Sequence, residues 1–222
     1  MLRGLFITGT GTGIGKTVTA AALMHRYRSS APLRYWKPVQ TGIEHDDDTR
    51  TVRELSACSE SELLCKGVRL AGAVSPHLAA EWSQYRIEIS DLLSIICSEP
   101  STTAWIVEGA GGSMVPLNDS ALIVDLMVAL QLPVVVVSQS ELGTINHTLL
   151  TLEALRIRSL EIAGVIMVGE PNRNNREAIE HFGNVAVLGE MPEISELSAA
   201  KIAQWANSGL DSSNVLLKYL RT

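Results

Sequence analysis

The stretch Thr8-Gly9-Thr10-Gly11-Thr12-Gly13-Ile14-Gly15-Lys16-Thr17 follows a short apolar run and precedes an alanine-rich segment. Its alternating glycines let the backbone turn tightly and point successive N–H groups inward, which forms an anion nest at a helix N-terminus. Lys16 adds a cation for the β- and γ-phosphates, and Thr17 adds a hydroxyl for Mg²⁺. Strand, glycine loop and helix in this order predict a phosphate-binding loop (P-loop) for a nucleoside triphosphate.

The spacing of this loop departs from two common glycine motifs. Counting back from Gly15, the usual P-loop pattern places its first glycine at position 10, which is Thr10, so this loop is one residue longer. The dinucleotide pattern G-x-G-x-x-G fails as well, because after Gly9 and Gly11 its third position holds Ile14. A Rossmann dinucleotide site is therefore disfavoured.

Apolar runs and helical segments alternate along the rest of the chain. The runs are continuous, as expected of strands that are covered on both faces. They are Leu5–Thr8, Leu33–Trp36, Ala104–Val107, Pro133–Val137, Ala163–Val168 and Val185–Leu188. The helical segments include Lys16–Arg28, Arg50–Leu55, Ile87–Cys97, Leu122–Leu130 and Ile145–Arg156. The pattern predicts an α/β fold of P-loop NTPase architecture, with a doubly wound, mainly parallel sheet flanked by helices, in a single domain over residues 1–222. Residues after about Glu190 are expected to be helical.

Composition narrows the classes of partner. The net charge of −6 argues against nucleic acid, because phosphate neutralisation needs a cationic face. No apolar run approaches the roughly 20 residues needed to span a bilayer, and the first residues lack the pattern of a signal peptide. Three cysteines without metal-ligand spacing fit a reducing compartment. We therefore expect a cytoplasmic protein without a membrane or nucleic-acid partner.

Two further charged residues lie at the ends of predicted strands, and an acidic run follows the first of them along the chain. Lys37 stands before a proline, which stiffens the backbone and aims the side chain at the ligand crevice, although a solvated lysine is the alternative. Glu108 follows the strand Ala104–Val107 and precedes a glycine loop, so it can ligate or orient magnesium. The run Asp46-Asp47-Asp48 either caps the next helix, expected to begin at Thr49, or supplies a carboxylate to Mg²⁺.

The turn Glu141–His147 opens another predicted helix. Its free N–H groups, with Thr144 and Asn146, could hold a carboxylate, whereas spacing alone favours a simple helix cap. His147 stands one turn into that helix, where a packing or capping role is more common than a catalytic one.

Five motifs occur together in the chain. They are GTGTGIGKT at Gly9–Thr17, KPVQTG at Lys37–Gly42, Ser75-Pro76-His77, VEGAGG at Val107–Gly112 and LGTINH at Leu142–His147. In this order and spacing, over about residues 2–194, they resemble the dethiobiotin synthetase family. The resemblance implies a homodimer in biotin synthesis that uses ATP, Mg²⁺ and CO₂ or bicarbonate to close a cyclic urea on 7,8-diaminopelargonate. The implied route runs through a carbamate and a carbamic–phosphoric anhydride to dethiobiotin, ADP and phosphate.

The resemblance also implies roles for single residues. Lys16 and Lys37 would be the catalytic lysines that neutralise the transferring phosphoryl group, and Lys37 would also steady the carbamate. The implied metal ligands are Thr17, Asp48 and Glu108, with Asp47 as the alternative to Asp48. The implied substrate contacts are Thr41 and, from the neighbouring subunit of a shared active site, Thr144 and Asn146. The implied nucleotide contacts are Thr12, Gly13, Ile14, Gly15, Lys16, Thr17, Val18, Asp48, Glu108, Gly109, Ala110, Gly111, Val168, Gly169, Pro192, Glu193 and Ile194.

Val168 departs from the family pattern. Many members carry an asparagine at this place to read adenine, whereas valine has no hydrogen-bonding side chain. Only backbone groups can then read the base edge. We therefore expect weaker base discrimination, with GTP or CTP competing with ATP.

Two other classes share the glycine loop. Switch ATPases of the MinD/ParA kind usually carry an extra lysine five residues before the loop lysine, and here that place is Gly11. No amphipathic membrane helix or basic DNA face is evident in the sequence. The second alternative is the amidating domain of the cobyrinic acid diamide synthase type. It normally needs an attached glutaminase domain, for which no residues remain.

Overall fold

The computed structural model describes residues 2–221, so Met1 and Thr222, the two ends of the predicted domain, lie outside the described residues. Its main sheet has seven parallel strands in the order β4-β2-β6-β1-β7-β8-β9. These strands are β1 (Arg3–Gly9), β2 (Leu33–Trp36), β4 (Leu63–Leu64), β6 (Ala104–Glu108), β7 (Val134–Gln139), β8 (Ile162–Val168) and β9 (Val187–Met191). The predicted parallel α/β fold is confirmed.

A second, two-stranded sheet was not predicted. It pairs β3 (Val39–Thr41) with β5 (Val68–Leu70) in parallel. β3 begins three residues after β2 ends, so it continues the chain from the main sheet across the mouth of the P-loop crevice. This small sheet carries the segment between Lys37 and the acidic run.

Eight helices cover the main sheet within residues 2–221. They are α1 (Lys16–Tyr27), α2 (Asp48–Ser56), α3 (Pro76–Trp82), α4 (Ile89–Cys97), α5 (Ile123–Leu130), α6 (Thr144–Arg156), α7 (Arg173–Gly183) and α8 (Ala199–Ser208). Short 3-10 helices lie at Glu60–Glu62 and Val215–Tyr219. Each helix of the described chain is too short or too polar to cross a lipid bilayer.

Two expectations about helix boundaries were wrong. α2 begins at Asp48 rather than Thr49, because Asp47 is the N-cap and its side chain accepts a hydrogen bond from the Arg50 N–H at 3.1 Å. The segment after Glu190 is not helical at first. β9 runs to Met191, and α8 begins only at Ala199.

The apolar runs form two cores, one on each face of the sheet. In β1, Leu5 and Ile7 pack on one face, whereas Phe6 packs on the other, and all three are fully buried. Successive strand residues point to opposite faces, so a strand covered by helices on both sides must be apolar at every position. Polar side chains are therefore few within the central strands, and Thr8 and Glu108 lie at strand ends, where the site forms.

Asp211 fastens the C-terminal segment to α1. Its carboxylate is buried and accepts hydrogen bonds from the Tyr27 hydroxyl (2.5 Å) and from the N–H groups of Val215 (2.9 Å) and Leu216 (2.8 Å). Its own N–H donates to the Leu188 carbonyl at 2.7 Å. These bonds satisfy a buried charge and hold the last 3-10 helix against the sheet.

Candidate active site

The P-loop joins the central strand β1 to α1. Gly13 (φ 72°) and Gly15 (φ 96°) lie in the left-handed region, where a side chain would be strained. Gly15 is also the N-cap of α1, and no side chain caps this helix or places an acid in its first turn. The first N–H groups of α1 are therefore free to bind an anion.

Lys16 is folded back against this loop. Its buried ammonium donates a hydrogen bond to the Gly11 carbonyl at 2.6 Å. Burial, together with repulsion from the ammonium of Lys37, lowers the pKa of Lys16 to about 8. A phosphate in the loop would offer this ammonium a better partner than a neutral carbonyl.

Glu108 lies at the end of β6, next to Ile7 of β1 in the sheet. It is fully buried, and its two oxygens have different partners. Oε1 accepts from the Thr17 hydroxyl at 3.0 Å and from Lys37 Nζ at 2.8 Å. Oε2 accepts from the hydroxyl of Tyr35, a residue of β2, at 2.9 Å.

Lys37 follows β2 and is almost fully buried. Its ammonium lies 2.5 Å from Asp48 Oδ2 and 2.8 Å from Glu108 Oε1, and it donates to the Gly109 carbonyl at 3.1 Å. Burial lowers the pKa of Lys37, but the carboxylates of Glu108 and Asp48 outweigh burial and raise the pKa above its ordinary value. Lys37 is therefore a charged group in the interior, not a solvated strand-end lysine.

Asp48 enters the same cluster from the first turn of α2. Its Oδ1 accepts from the Thr17 hydroxyl at 2.9 Å. Burial raises the pKa of Asp48, but the ammonium of Lys37 and the Thr17 hydrogen bond outweigh it, so the pKa lies below its ordinary value. The Gln40 side chain accepts from the Asp48 N–H at 3.2 Å and donates to the Asp46 carbonyl, which fixes the acidic run. The Asp47 side chain instead caps α2 through the Arg50 N–H.

The oxygen atoms of this cluster suit a hard cation. Thr17, Asp48 and Glu108 bring a hydroxyl and two carboxylates together, and the two lysines balance the carboxylate charge. No group of three or more His, Cys, Asp or Glu within residues 2–221 could form a metal site of protein ligands alone. Mg²⁺ at a nucleotide typically uses one or two carboxylates and completes its shell with phosphate oxygens and water. The donors present fit that ion.

Two adjoining cavities follow the P-loop. The first has a volume of about 220 Å³ and contains most of the predicted site. It is lined by Thr12, Gly13, Ile14, Gly15, Lys16, Thr17, Lys37, Thr41, Asp48, Glu108, Ala110 and Gly111, with Val39, Gln40 and Asp46 in addition. The second, of about 440 Å³, shares Gly13, Ile14 and Gly15 with the first and extends to Val168, Gly169 and Glu193. A nucleotide lying along the loop could occupy both.

The residues predicted to lie near the nucleotide base are only partly brought together. Val168 packs its methyl groups against Gly15, where an added Cβ would lie 3.1 Å from them. Pro192 and Ile194 line a third cavity beside Trp205. Glu193 lines both this third cavity and the second one. Val18 packs against the core behind the loop.

The predicted substrate residues divide into two groups. Thr41 lines the first cavity, which we call the phosphate cavity, whereas Thr144 and Asn146 line neither the first nor the second cavity. Thr144 begins α6 and its hydroxyl is buried without a hydrogen-bond partner among the described residues. Asn146 is exposed on the same first turn. Within one chain, these two residues stand apart from the lysine and carboxylate cluster.

Sequence reasoning missed several residues of the site. Tyr35 looks like an ordinary strand residue, and Gln40 lies within the KPVQTG motif without a predicted role. Gln139 and Ser140, at the end of β7, line the second cavity. Their position gave a usable signal, because ligands of parallel sheets bind beyond the carboxyl ends of strands.

Comparison with known proteins shows the family of this chain. A family model described as an AAA domain matches residues 3–201. The ATP-dependent dethiobiotin synthetase BioD of Paramagnetospirillum magneticum is 46% identical over 91% of this chain and 94% of its own length. The chain belongs to the dethiobiotin synthetase family. Another dethiobiotin synthetase, from Agrobacterium fabrum, is 41% identical over 89% of this chain and 90% of its own. The biotin biosynthesis bifunctional protein BioCD of Bordetella avium is 43% identical over 92% of this chain but 42% of its own length.

Solved structures of low sequence identity share the architecture. A ParA family ATPase from Chlorobium tepidum superposes with a TM-score of 0.60 at 12% identity, over 93% of this chain and 98% of that chain. At this identity the likeness shows the fold alone. The MinD/ParA-like and cobyrinic acid diamide synthase-like alternatives are not favoured, because the relatives by sequence are dethiobiotin synthetases.

Proposed function

We infer that this chain is an ATP-dependent dethiobiotin synthetase, a ligase of biotin biosynthesis. The observation that carries the inference is the ammonium of Lys37, buried between Asp48 and Glu108 at the mouth of the P-loop cavity. The named relatives at 41–46% identity support the same activity. The substrates would be 7,8-diaminopelargonate, CO₂ or bicarbonate, and ATP.

Mg²⁺ would be held by Thr17, Asp48 and Glu108. When bound, it would neutralise charge on the β- and γ-phosphates and align them for transfer. The close approach of the Thr17 hydroxyl to both carboxylates supports this set. Asp48 is preferred to Asp47 because the Asp47 side chain is engaged in capping α2.

Lys16 and Lys37 would stabilise the developing negative charge of phosphoryl transfer. Lys16 would leave the Gly11 carbonyl for the phosphates, and Lys37 would point between the γ-phosphate and the substrate carbamate. Thr41 lies on the wall of the same cavity and would contact the carbamate end of the diamine. Positioned cations in a site that excludes water are the main requirement of this chemistry.

We further propose that the protein works in the cytoplasm as a homodimer with shared active sites. Thr144 and Asn146, at the start of α6, would bind the carboxylate of the diamine held by the partner subunit. The Thr144 N–H donates to the Glu141 carbonyl, but no side chain of residues 2–221 caps the N-terminus of α6. The Thr144 hydroxyl, buried without a hydrogen-bond partner among these residues, and the exposed Asn146 amide support this role.

Product formation tests the function directly. Purified protein with diaminopelargonate, bicarbonate, Mg²⁺ and ATP should yield dethiobiotin and phosphate in equal amounts. ATP hydrolysis that does not respond to the diamine would count against the ligase.

Mixing two inactive variants tests the shared site. Lys37→Met and Asn146→Asp damage opposite halves of one site, so a heterodimer would retain one intact site. Regained activity after mixing, with each variant inactive alone, is the expected result. No recovery, despite mixed dimers detected by mass spectrometry, would contradict the assignment of Asn146.

A further inference from the structure

The two oxygens of Glu108 are held by different parts of the protein. Oε1 is shared by Thr17 and Lys37, both of which face the phosphate cavity. Oε2 points away from the cavity to the hydroxyl of Tyr35 at 2.9 Å, and no other donor within residues 2–221 bonds to it. One oxygen therefore serves the site, while the other is anchored in the core.

The sheet itself aligns this contact. Tyr35 in β2 stands opposite Ile106 in β6, two positions before Glu108, so both side chains point to the same face. Tyr35 is fully buried.

We propose that Tyr35 is a positioning residue, whose hydroxyl holds Oε2 of Glu108 so that Oε1 alone is presented to Thr17, Lys37 and the metal. This inference rests on the metal role of Glu108 in the proposed function. Without the hydroxyl, Oε2 would be buried without a donor and the carboxylate could rotate. Lys37 would then compete for both oxygens, and the metal would lose a fixed ligand.

A pair of matched variants separates positioning from stability. Tyr35→Phe removes the hydroxyl that bonds to Glu108. Tyr27→Phe is the control, because the buried Tyr27 hydroxyl also donates to a carboxylate, that of Asp211, outside the site. Both variants should lower the unfolding midpoint, since each removes a hydroxyl donor from a buried carboxylate. Asp211 Oδ2 keeps the Leu216 N–H after Tyr27→Phe, so this control should lose less stability than Tyr35→Phe.

The metal site is measured with Mn²⁺ and ADP. Mn²⁺ is titrated into each protein saturated with ADP, and electron paramagnetic resonance measures the free Mn²⁺. A separate titration with ADP in the absence of metal gives the number of folded sites. Tyr35→Phe should weaken Mn²⁺ binding by about tenfold or more, as is usual for partners of metal ligands. Its ADP affinity without metal and the Mn²⁺ affinity of Tyr27→Phe should equal those of the wild type.

A double-mutant cycle makes the result specific to Glu108. In a Glu108→Gln background, Tyr35→Phe should weaken Mn²⁺ binding no further, because the anchored carboxylate is already lost. The inference is overturned if Mn²⁺ affinity per ADP site is unchanged in Tyr35→Phe, if Tyr27→Phe loses as much, or if the wild-type ADP complex binds no Mn²⁺. A wild type that shows the expected Mn²⁺ results but makes no dethiobiotin would refute the proposed function and leave the role of Tyr35 standing.

Discussion

Replacing Lys37 by methionine should separate two roles of this side chain, which are to stabilise the buried carboxylates and to stabilise the transferring phosphoryl group. The methionine side chain is one atom shorter than lysine and ends where the charged nitrogen begins, so it keeps the apolar stem and removes the charge. Without the ammonium, the carboxylates of Asp48 and Glu108 lose a partner that lies 2.5 Å and 2.8 Å away. Glu108 is fully buried, and the Asp48 side chain is 14% exposed.

The distances allow an order-of-magnitude estimate of the cost. At an effective dielectric constant of about 20, each contact attracts by about 6 kcal/mol, but burying the three charges costs several kcal/mol per ion. The measured loss on removing one partner of such a pair is about 3–5 kcal/mol. For a chain of this size that corresponds to a fall of about 6–20 °C in Tm.

Mg²⁺ should partly restore the stability of Lys37→Met, because a cation would again neutralise the two carboxylates. Turnover should not recover with it. Loss of a group that stabilises the transferring phosphoryl typically costs about 100- to 1,000-fold in kcat. The affinity for ADP should change far less, since the P-loop N–H groups and Lys16 remain.

Calorimetry with and without Mg²⁺ gives the stability, phosphate release gives kcat, and titration with ADP gives the affinity. An unchanged Tm would refute the buried ion cluster. Equal losses of kcat and ADP affinity would mean that Lys37 is only a nucleotide anchor.

Other substitutions test the metal ligand, base selectivity and the buried Asp211. Asp48→Asn should lower Mg²⁺-dependent turnover about 100-fold, whereas Asp47→Ala should only remove a helix cap, costing about 1 kcal/mol in denaturant unfolding with kcat intact. The reverse ranking would reassign the metal ligand. Because Val168 offers the base no side-chain hydrogen bond, GTP and CTP should support turnover within about tenfold of ATP, and strict ATP selectivity in a nucleotide panel would contradict this. Asp211→Ala should lower the free energy of unfolding by about 3 kcal/mol or more, since the Tyr27 hydroxyl and two N–H groups lose their acceptor. The kcat of the folded fraction should not change, and a selective loss of kcat would show a role in the site.

Six of the seven strands of the main sheet were predictable, because burial on both faces requires a continuous apolar run. Leu5, Phe6 and Ile7 must all be apolar, and such a run is visible in the sequence. The edge strand β4 (Leu63–Leu64) was not predicted, because two residues are too few to form such a run. The pair β3 and β5 was not predictable, because each has only three residues and its pairing depends on residues about 30 positions away. The start of α2 was misjudged by one residue, since Asp47 and Asp48 are both good N-terminal residues and only the geometry shows which one caps.

The polar cluster was predictable in its members but not in its connections. Lys37 and Glu108 stand out as charges at the ends of apolar strands. Their direct contact follows from the position of β6 between β2 and β1, which the sequence does not state. Tyr35 gives no signal of its own, because a tyrosine in a buried strand is ordinary and its hydroxyl acquires meaning only from the neighbouring strand.

The arrangement of Glu108 at the centre of the sheet has a consequence for folding. It meets Thr17 across 91 residues of sequence and Lys37 across 71. Contacts that close such long loops form slowly, so a partly folded chain lacks the site even where the glycine loop is present. Nucleotide can then bind only the folded protein. At a nucleotide concentration 100-fold above Kd, this binding raises the free energy of unfolding by about 2.7 kcal/mol. Bound cosubstrate should therefore lengthen the lifetime of the folded enzyme without hastening its formation.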